Sequence, residues 1–243
     1  MGRRGTIQRM CGRYETPEDK RILAERFSTR ATLQDFQLGR VNECSPGSVQ
    51  PVVLLNDEGE REIIAMRWGF TLPDRFLFLA RSEGAATSPF WQEMIKERRC
   101  IVPATAFFEW QDTKSGPRPK YKLGLSGRDL FGMAGMWANW KNPKTLELEP
   151  TFAILTGEAN GVMRQIHDRQ PVVLDPGDYE EWLTQDDGPP LHLLRILPDE
   201  HLTITRLNPV EAVKAESLKQ DEPPPALTGL LFGEDVRDKE LPD

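Results

Sequence analysis

The chain has 243 residues, 38% of them hydrophobic, and a formal net charge of −7, which is enough material for one sizeable core. No stretch reaches the roughly 18 to 20 consecutive apolar residues that a membrane helix requires, and "MGRRGTIQRM" lacks the apolar middle of a secretory signal, so a soluble, cytoplasmic protein is expected. Three cysteines, Cys11, Cys44 and Cys100, with no CxxC pair argue against a disulfide framework and a four-thiolate zinc site, so neither metal nor cofactor is expected.

Residues 1–10 are polar and without periodicity, and read as a leader or an over-long start ahead of Met10 that is removed; the folded domain is expected over residues 11–216. "TPEDKRILAERF" predicts a helix with Thr16 as N-cap, Pro17 at the first helical position, and Ile22, Leu23 and Phe27 at helical spacing. "VQPVVLLND" and "EGEREIIAMRWGF" predict a hairpin turning at residues 56–59. "SPFWQEMIKERR" predicts a short helix started by Ser88 and Pro89. It leads into the strand "CIVPATAFFEWQ", where Pro103 implies an edge or a bend. "PKYKLGLSGRDLFGMAGMWANW" alternates in strand fashion around a Ser126-Gly127 turn. "PTFAILTGEAN" and "HLTITRLNPVEAV" predict further strand, with the short apolar segment "GPPLHLLRILP" between them. Residues 217–243 are Pro-rich and acidic, and predict a disordered tail. Strands dominate without βαβ alternation, so the expected fold is a single α+β domain with a curved, largely antiparallel sheet and flanking helices.

The negative charge counts against nucleic acid as a partner, yet residues 217–243 hold seven acids against three bases and so carry −4 of the total. Arg13, Arg67, Arg81, Arg98, Arg99, Arg164 and Arg169 are expected to line one groove, with scattered solvated arginines as the alternative.

Four separated segments, "MCGRY" at 10–14, "RWGF" at 67–70, "RRCIVPATAFFEW" at 98–110 and "IHDRQPVVL" at 166–174, occur in an order and spacing that resembles the SOS response-associated peptidase family, from Cys11 to about Val210. The resemblance implies shielding of abasic sites in single-stranded DNA by covalent capture, with an N-terminal Cys11 as nucleophile and Glu109 and His167 as proton-transfer groups. The chemistry agrees with that implication. An α-amine has a reference pKa near 7.7–8.0 against about 10.4 for lysine, so a useful fraction is neutral at pH 7. Such an amine attacks the open-chain aldehyde of an abasic site, and the thiol of the same residue then closes a five-membered thiazolidine ring. Glu109 lies among aromatic neighbours in "FFEWQ", which predicts limited solvation and a raised pKa, against the alternative of an outward-facing strand carboxylate. A lone histidine is more often structural than catalytic; the "IHDRQP" match favours a role for His167.

The resemblance further places Arg81 at a phosphate, within a segment the family writes Asn-Ala-Arg-x-Glu. Here it reads "LARSE": Leu79 replaces the asparagine, whereas Ala80, Arg81 and Glu83 remain. Arg13, two residues after Cys11, is expected at a second phosphate. Trp68 is expected to stack on an unpaired base, with Phe90 or Trp91 as poorer choices. Thr156 matches a family position near the site, and Asn42 and Pro46 loosely match an Asn-x-Ala-Pro segment. The expected partner is therefore single-stranded DNA containing abasic sites, bound by a monomer that joins the nucleoid on DNA damage. A replication-clamp contact through "ALTGLLFG" rests on one short apolar patch. Two rivals stand beside this reading: a cysteine peptidase using Cys11, Glu109 and His167 to remove its own leader, and a non-catalytic single-stranded DNA binder, which Leu79 favours.

Overall fold

The computed structural model describes residues 12–17, 19–29, 43–111, 113, 118–185 and 188–207. Cys11, Asn42, the leader and the acidic tail, including "ALTGLLFG", lie outside the described residues. In chain order the elements are β1 (Arg13–Glu15), α1 (Lys20–Phe27), β2 (Val49–Leu55), β3 (Arg61–Trp68), β4 (Phe70–Thr71), β5 (Phe76–Leu77), β6 (Leu79–Arg81), α2 (Ser82–Ala85), α3 (Gln92–Glu97), β7 (Arg99–Ala104), β8 (Ala106–Trp110), β9 (Lys120–Leu125), β10 (Phe131–Lys141), β11 (Leu148–Glu158), β12 (Arg169–Pro171), β13 (Val173–Leu174), α4 (Tyr179–Leu183) and β14 (Leu202–Leu207).

Two sheets organise the molecule. The smaller runs β1-β8-β9-β14 and is antiparallel throughout. In the larger, successive pairings of β2 with β3, β3 with β11, β11 with β10, β10 with β7 and β7 with β2 return to their start, so five strands form a closed ring. All those pairings are antiparallel except that of β11 with β3, and β6 also joins β11 in parallel. Closure removes the unpaired edges that an open sheet exposes.

Both faces of the ring strands are apolar, and the period-two alternation sorts their side chains. Val52 and Leu54 of β2, Cys100 and Val102 of β7, and Phe152 and Ile154 of β11 share one core with Tyr14, Phe107 and Leu123 of the small sheet. The intervening Val53, Ile101, Ala153 and Leu155 pack instead with Leu23 and Phe27 of α1, Met94 and Ile95 of α3, and Tyr179 and Trp182 of α4. The expected α+β domain of largely antiparallel sheet with flanking helices is the observed one.

The hairpin over β2 and β3 forms as the sequence predicts. Asn56 Oδ1 accepts from the Glu58 and Glu60 amides at 3.0 and 2.9 Å, and Gly59 takes φ +75°. The first helix begins later than expected: its N-cap is Asp19, whose carboxylate accepts from the Arg21 amide at 2.9 Å, whereas Thr16 is buried ahead of it. Ile22 is solvent-exposed, so Leu23 and Phe27 alone anchor that helix. Pro103 is not on an edge. It lies in β7, between β2 and β10, opposite Gly132, where the pairing with β2 is confined to Ile101. The expected bend follows at Thr105, whose N–H crosses to the Glu15 carbonyl at 2.8 Å and starts the small sheet. The strands flanking Ser126-Gly127 belong to different sheets, so that turn passes the chain from one sheet to the other. Among the described residues, no helix is long and apolar enough to cross a membrane.

Candidate functional site

Glu109 is the fourth residue of β8. Tyr14 pairs with Phe107 across β1 and β8, and both point into the core between the sheets; Glu109, two residues on, shares that face. Only 1% of it is accessible. The expected alternative of an outward strand carboxylate is thereby excluded, and Oε2 accepts from the Trp110 amide at 3.2 Å.

His167 comes from the connection between β11 and β12 and is also buried. A one-turn 3₁₀ segment, Met163–Gln165, precedes it, and the Asn160 side chain caps that turn by accepting from the Met163 amide at 2.7 Å. The Arg169 amide donates to His167 Nδ1 at 3.0 Å, and Asp168 Oδ1 lies 3.1 Å from the same nitrogen. An Nδ1 that accepts from the amide has no proton to give the carboxylate. The amide is fixed within the buried chain whereas Asp168 is largely exposed, so the amide decides the tautomer and the neutral ring carries its proton on Nε2.

Arg169 ties this histidine to the phosphate-binding candidates. Its guanidinium pairs two-pronged with Glu83 at 2.6 and 2.9 Å and also meets the Thr156 carbonyl. Glu83 follows Arg81 by two residues, and Arg81 stands opposite Thr156 in the parallel pairing of β6 with β11. On the other side, Arg13 pairs with Phe108, next to Glu109. A further bond links the strand bearing Glu109 to the turn bearing His167: Gln111 Nε2 donates to the Gln165 carbonyl at 2.7 Å. Contacts thus link the strand of Glu109, the turn of His167 and the strand of Arg81; Arg13 lies on the strand next to that of Glu109 but alternates to the opposite face, where its guanidinium donates to the Gly12 carbonyl at 2.8 Å. Cys11 is outside the described residues.

Several expectations change. Trp68 is 1% accessible, with Nε1 donating to the Phe78 carbonyl at 2.9 Å and its ring against Tyr14, Phe78 and Phe152. It is core, not a surface for stacking. Thr156 is fully buried, its hydroxyl donating to the Ala80 carbonyl at 3.3 Å, so it acts on the region through Arg169 and not by outside contact. Trp91 is buried, and Phe90 packs edge-on with it and Phe70. The seven arginines do not line one groove. Arg99 is buried beneath α3 and α4, its guanidinium donating to carbonyls of Ile95, Lys96, Trp182 and Thr184. Arg98 lies over the Trp137 ring, Arg164 is beside Glu158 and Arg67 beside Glu149.

The exposed aromatic on the strand leading to Arg81 is Phe76. It lies across Gly69, where a Cβ would sit 2.3 Å from the ring, and beside Phe78. Gly69 also needs φ +110°, so both conformation and space exclude other residues there. The alternation "FLFLAR" contained Phe76, but nothing in it separated an outward ring from a buried one. Leu79 is buried in the inter-sheet core beside Ile154, to which it pairs. Among the described residues, no group of His, Cys, Asp or Glu is arranged to hold a metal. The other two cysteines are inert: burial pushes the Cys44 thiol up to about 12 and that of Cys100 well above its ordinary value, so neither supplies thiolate at neutral pH.

The family profile described as SOS response associated peptidase (SRAP) matches residues 10–213. The chain is 27% identical over 195 residues to the abasic site processing protein YoqW of Bacillus subtilis (strain 168), covering 77% of this chain and 86% of that protein. It is 30% identical over 186 residues to the abasic site processing protein YedK of Escherichia coli (strain K12), covering 73% and 81%. It is 27% identical over 195 residues to the abasic site processing protein HMCES of Xenopus tropicalis, covering 65% and 58%. In fold it is similar to crystal structures of a protein from Bacteroides thetaiotaomicron, with TM-score 0.72, 22% identity and coverage of 82% and 92%, and of a protein from Bordetella bronchiseptica, with TM-score 0.68, 22% identity and coverage of 82% and 100%.

The Glu83–Arg169 pair gives a pH signature. The Arg169 hydrogen bonds hold the Glu83 carboxyl below its ordinary value. A carboxyl lowered on folding stabilises the fold above its unfolded pKa, near 4.3, and loses that contribution as pH falls through the folded value. Glu83→Gln is therefore less stable than wild type at pH 7 by a modest amount, since Glu83 is half exposed. The difference shrinks toward zero as pH drops below about 4. Denaturant midpoints for both proteins across pH 3–7 check this; a constant gap would contradict it.

Proposed function

The chain belongs to the SOS response associated peptidase (SRAP) family, and from that premise we propose that it processes abasic sites in DNA by covalent capture at Cys11. The observation that carries this reading is that two buried groups suited to proton transfer, Glu109 of the small sheet and His167 of the turn before β12, are linked through Gln111, with Arg81 joined to the same turn through Thr156 and Arg169. A buried carboxylate and a tautomer-fixed imidazole are costly in a fold that uses them only as filling.

In this reading the working chain begins at Cys11, after removal of residues 1–10 by self-cleavage, or after synthesis from Met10 and loss of that methionine. The Cys11 amine attacks C1′ of the open-chain sugar. Proton transfer to the departing hydroxyl releases one water and leaves a Schiff base. His167 Nε2–H is the donor and Glu109 the acceptor for these transfers. The Cys11 thiol then adds across the C=N bond and its proton passes to nitrogen, closing the thiazolidine. Arg81 and Arg13 hold the flanking phosphates, and Phe76 offers a ring face to an unpaired base, which favours a single strand over a duplex.

A second reading, a single-stranded DNA binder that does not react, is favoured by Leu79. Its buried, wholly apolar side chain offers no hydrogen bond where the family has an amide.

Three variants separate these readings, assayed with an abasic oligonucleotide on a denaturing gel. Wild type starting at Cys11 is expected to form a denaturant-resistant adduct with single-stranded but not double-stranded substrate, and Cys11→Ala none. Equal cross-linking by Cys11→Ala would show that the thiol is not needed, leaving a Schiff base on the α-amine or a lysine in place of the thiazolidine; no adduct from wild type would leave the non-reacting binder. Leu79→Asn is expected to react faster than wild type, and an unchanged rate would show that the lost amide is not limiting. In a separate equilibrium binding measurement, Phe76→Ala is expected to weaken binding of an undamaged single strand by about 1–3 kcal/mol; unchanged affinity removes Phe76 from the contact surface.

A further inference from the structure

Glu109 lies in the small sheet and His167 in the connection between β11 and β12 of the larger one, so their separation is not fixed by one ladder of backbone bonds. Gln111 spans that division. Its backbone N–H donates to the Pro119 carbonyl at 3.0 Å, at the base of the connection between β8 and β9. Its side-chain oxygen accepts from the Tyr121 hydroxyl at 3.1 Å. Tyr121 is the residue opposite Glu109 in the β8–β9 register, so the phenol runs alongside the carboxylate on the same face of the sheet. With its backbone and amide oxygen held by the small sheet, Gln111 directs its Nε2 donor at the Gln165 carbonyl, two residues before His167. At its other side the same turn is fastened to the ring and its neighbours: Asn160 Nδ2 donates to the Leu197 carbonyl at 3.0 Å, and the Ala159 amide to the Asp168 carbonyl at 3.0 Å. The histidine turn is therefore gripped from behind by Asn160 and Ala159 and from the carboxylate's strand by Gln111.

We infer that Gln111, oriented by Tyr121, is a positioning residue that sets the distance between Glu109 and His167; the inference rests on those two residues acting together in the proposed reaction. The Gln111–Gln165 bond is solvent-exposed, and such bonds add little net stability. Its consequence is geometric, and proton transfer between fixed groups is sensitive to small displacements. The amide assignment is dictated by the partners: a phenol donating to one end and a carbonyl accepting at the other admit only one orientation.

The test uses the full chain beginning at Cys11, with single-turnover cross-linking measured across concentrations of abasic single-stranded DNA. Gln111→Met, similar in length but without donor or acceptor, is expected to lower the maximal rate by about tenfold to a hundredfold, the scale on which small misplacements act. The half-saturating DNA concentration should stay within about twofold, because a residue that acts through His167 changes the rate of the step and not the binding of the strand. Tyr121→Phe should lower the same parameter less, and the double variant should be no slower than Gln111→Met, since both act through one contact. A normal maximal rate in Gln111→Met, a change confined to DNA affinity, or additive losses in the double variant would each overturn the inference. Should wild type form no adduct, the covalent reading fails on its own. The brace is then judged by the imidazole ¹⁵N signals of His167, which must move in Gln111→Met; unchanged signals overturn it.

Discussion

The pairing that the rest of the molecule depends on is made by β11. This strand takes β10 along most of its length as an antiparallel partner, and β3 and β6 in parallel on its other side. The parallel contact closes the ring, because β3, β2, β7 and β10 would otherwise form an open ladder with two free edges. The same strand also sets the site. Its last residues place Thr156 opposite Arg81 and opposite Pro171 of β12, which brings Arg169 back to the carbonyl of Thr156 and the carboxylate of Glu83. Each of these neighbours comes from a different stretch of chain, and none would meet the others without β11 between them.

Against that fixed frame the small sheet brings one element, the buried carboxylate of Glu109. Placing it there costs free energy unless the group is used or compensated, and the strand that holds it has no backbone ladder to the histidine turn. The two residues proposed for proton transfer are thus carried by the small sheet and by a turn next to the larger one, linked through the Gln111 side chain. Cys44 and Cys100 lie in the core between those sheets with their thiols held protonated by burial. Cys11 precedes β1 in the sequence and lies outside the described residues.

Local signals in the sequence were legible wherever a short-range rule governed the outcome. The β2–β3 hairpin follows from β-branched strands around an Asn-to-Gly turn; the helix expected to start at Ser88 and Pro89 begins only at Gln92, with Trp91 at its N-cap and no side-chain cap bond, because residues 88–91 form a turn first. Glu109 and His167 were recognisable because their motifs are specific, and the structure does bury both. What stayed illegible depended on tertiary context. Nothing local to Trp68 says whether its ring is buried, and closure of the ring of strands buries both sides, so Trp68 is core and Phe76 is the outward ring. Arg99 resembled its basic neighbours in sequence, yet α3 and α4 present four carbonyls to it and make it a structural brace. The helix start moved from Thr16 to Asp19 because Thr16 is drawn into the core instead of capping a helix. The parallel closure through β11 and the Gln111 bridge had no sequence signature, since both join residues far apart in the chain.

The covalent account stands on a cysteine that presents its amine and thiol together. The measurement that bears on it most directly is the intact mass of the protein purified from cells, alone and after reaction with an abasic single-stranded oligonucleotide under denaturing conditions. The account requires a chain whose first residue is Cys11, and an adduct equal to that chain plus the oligonucleotide less one water. A working protein that keeps residues ahead of Cys11, or a complex that falls apart into unmodified chain and DNA, would contradict it.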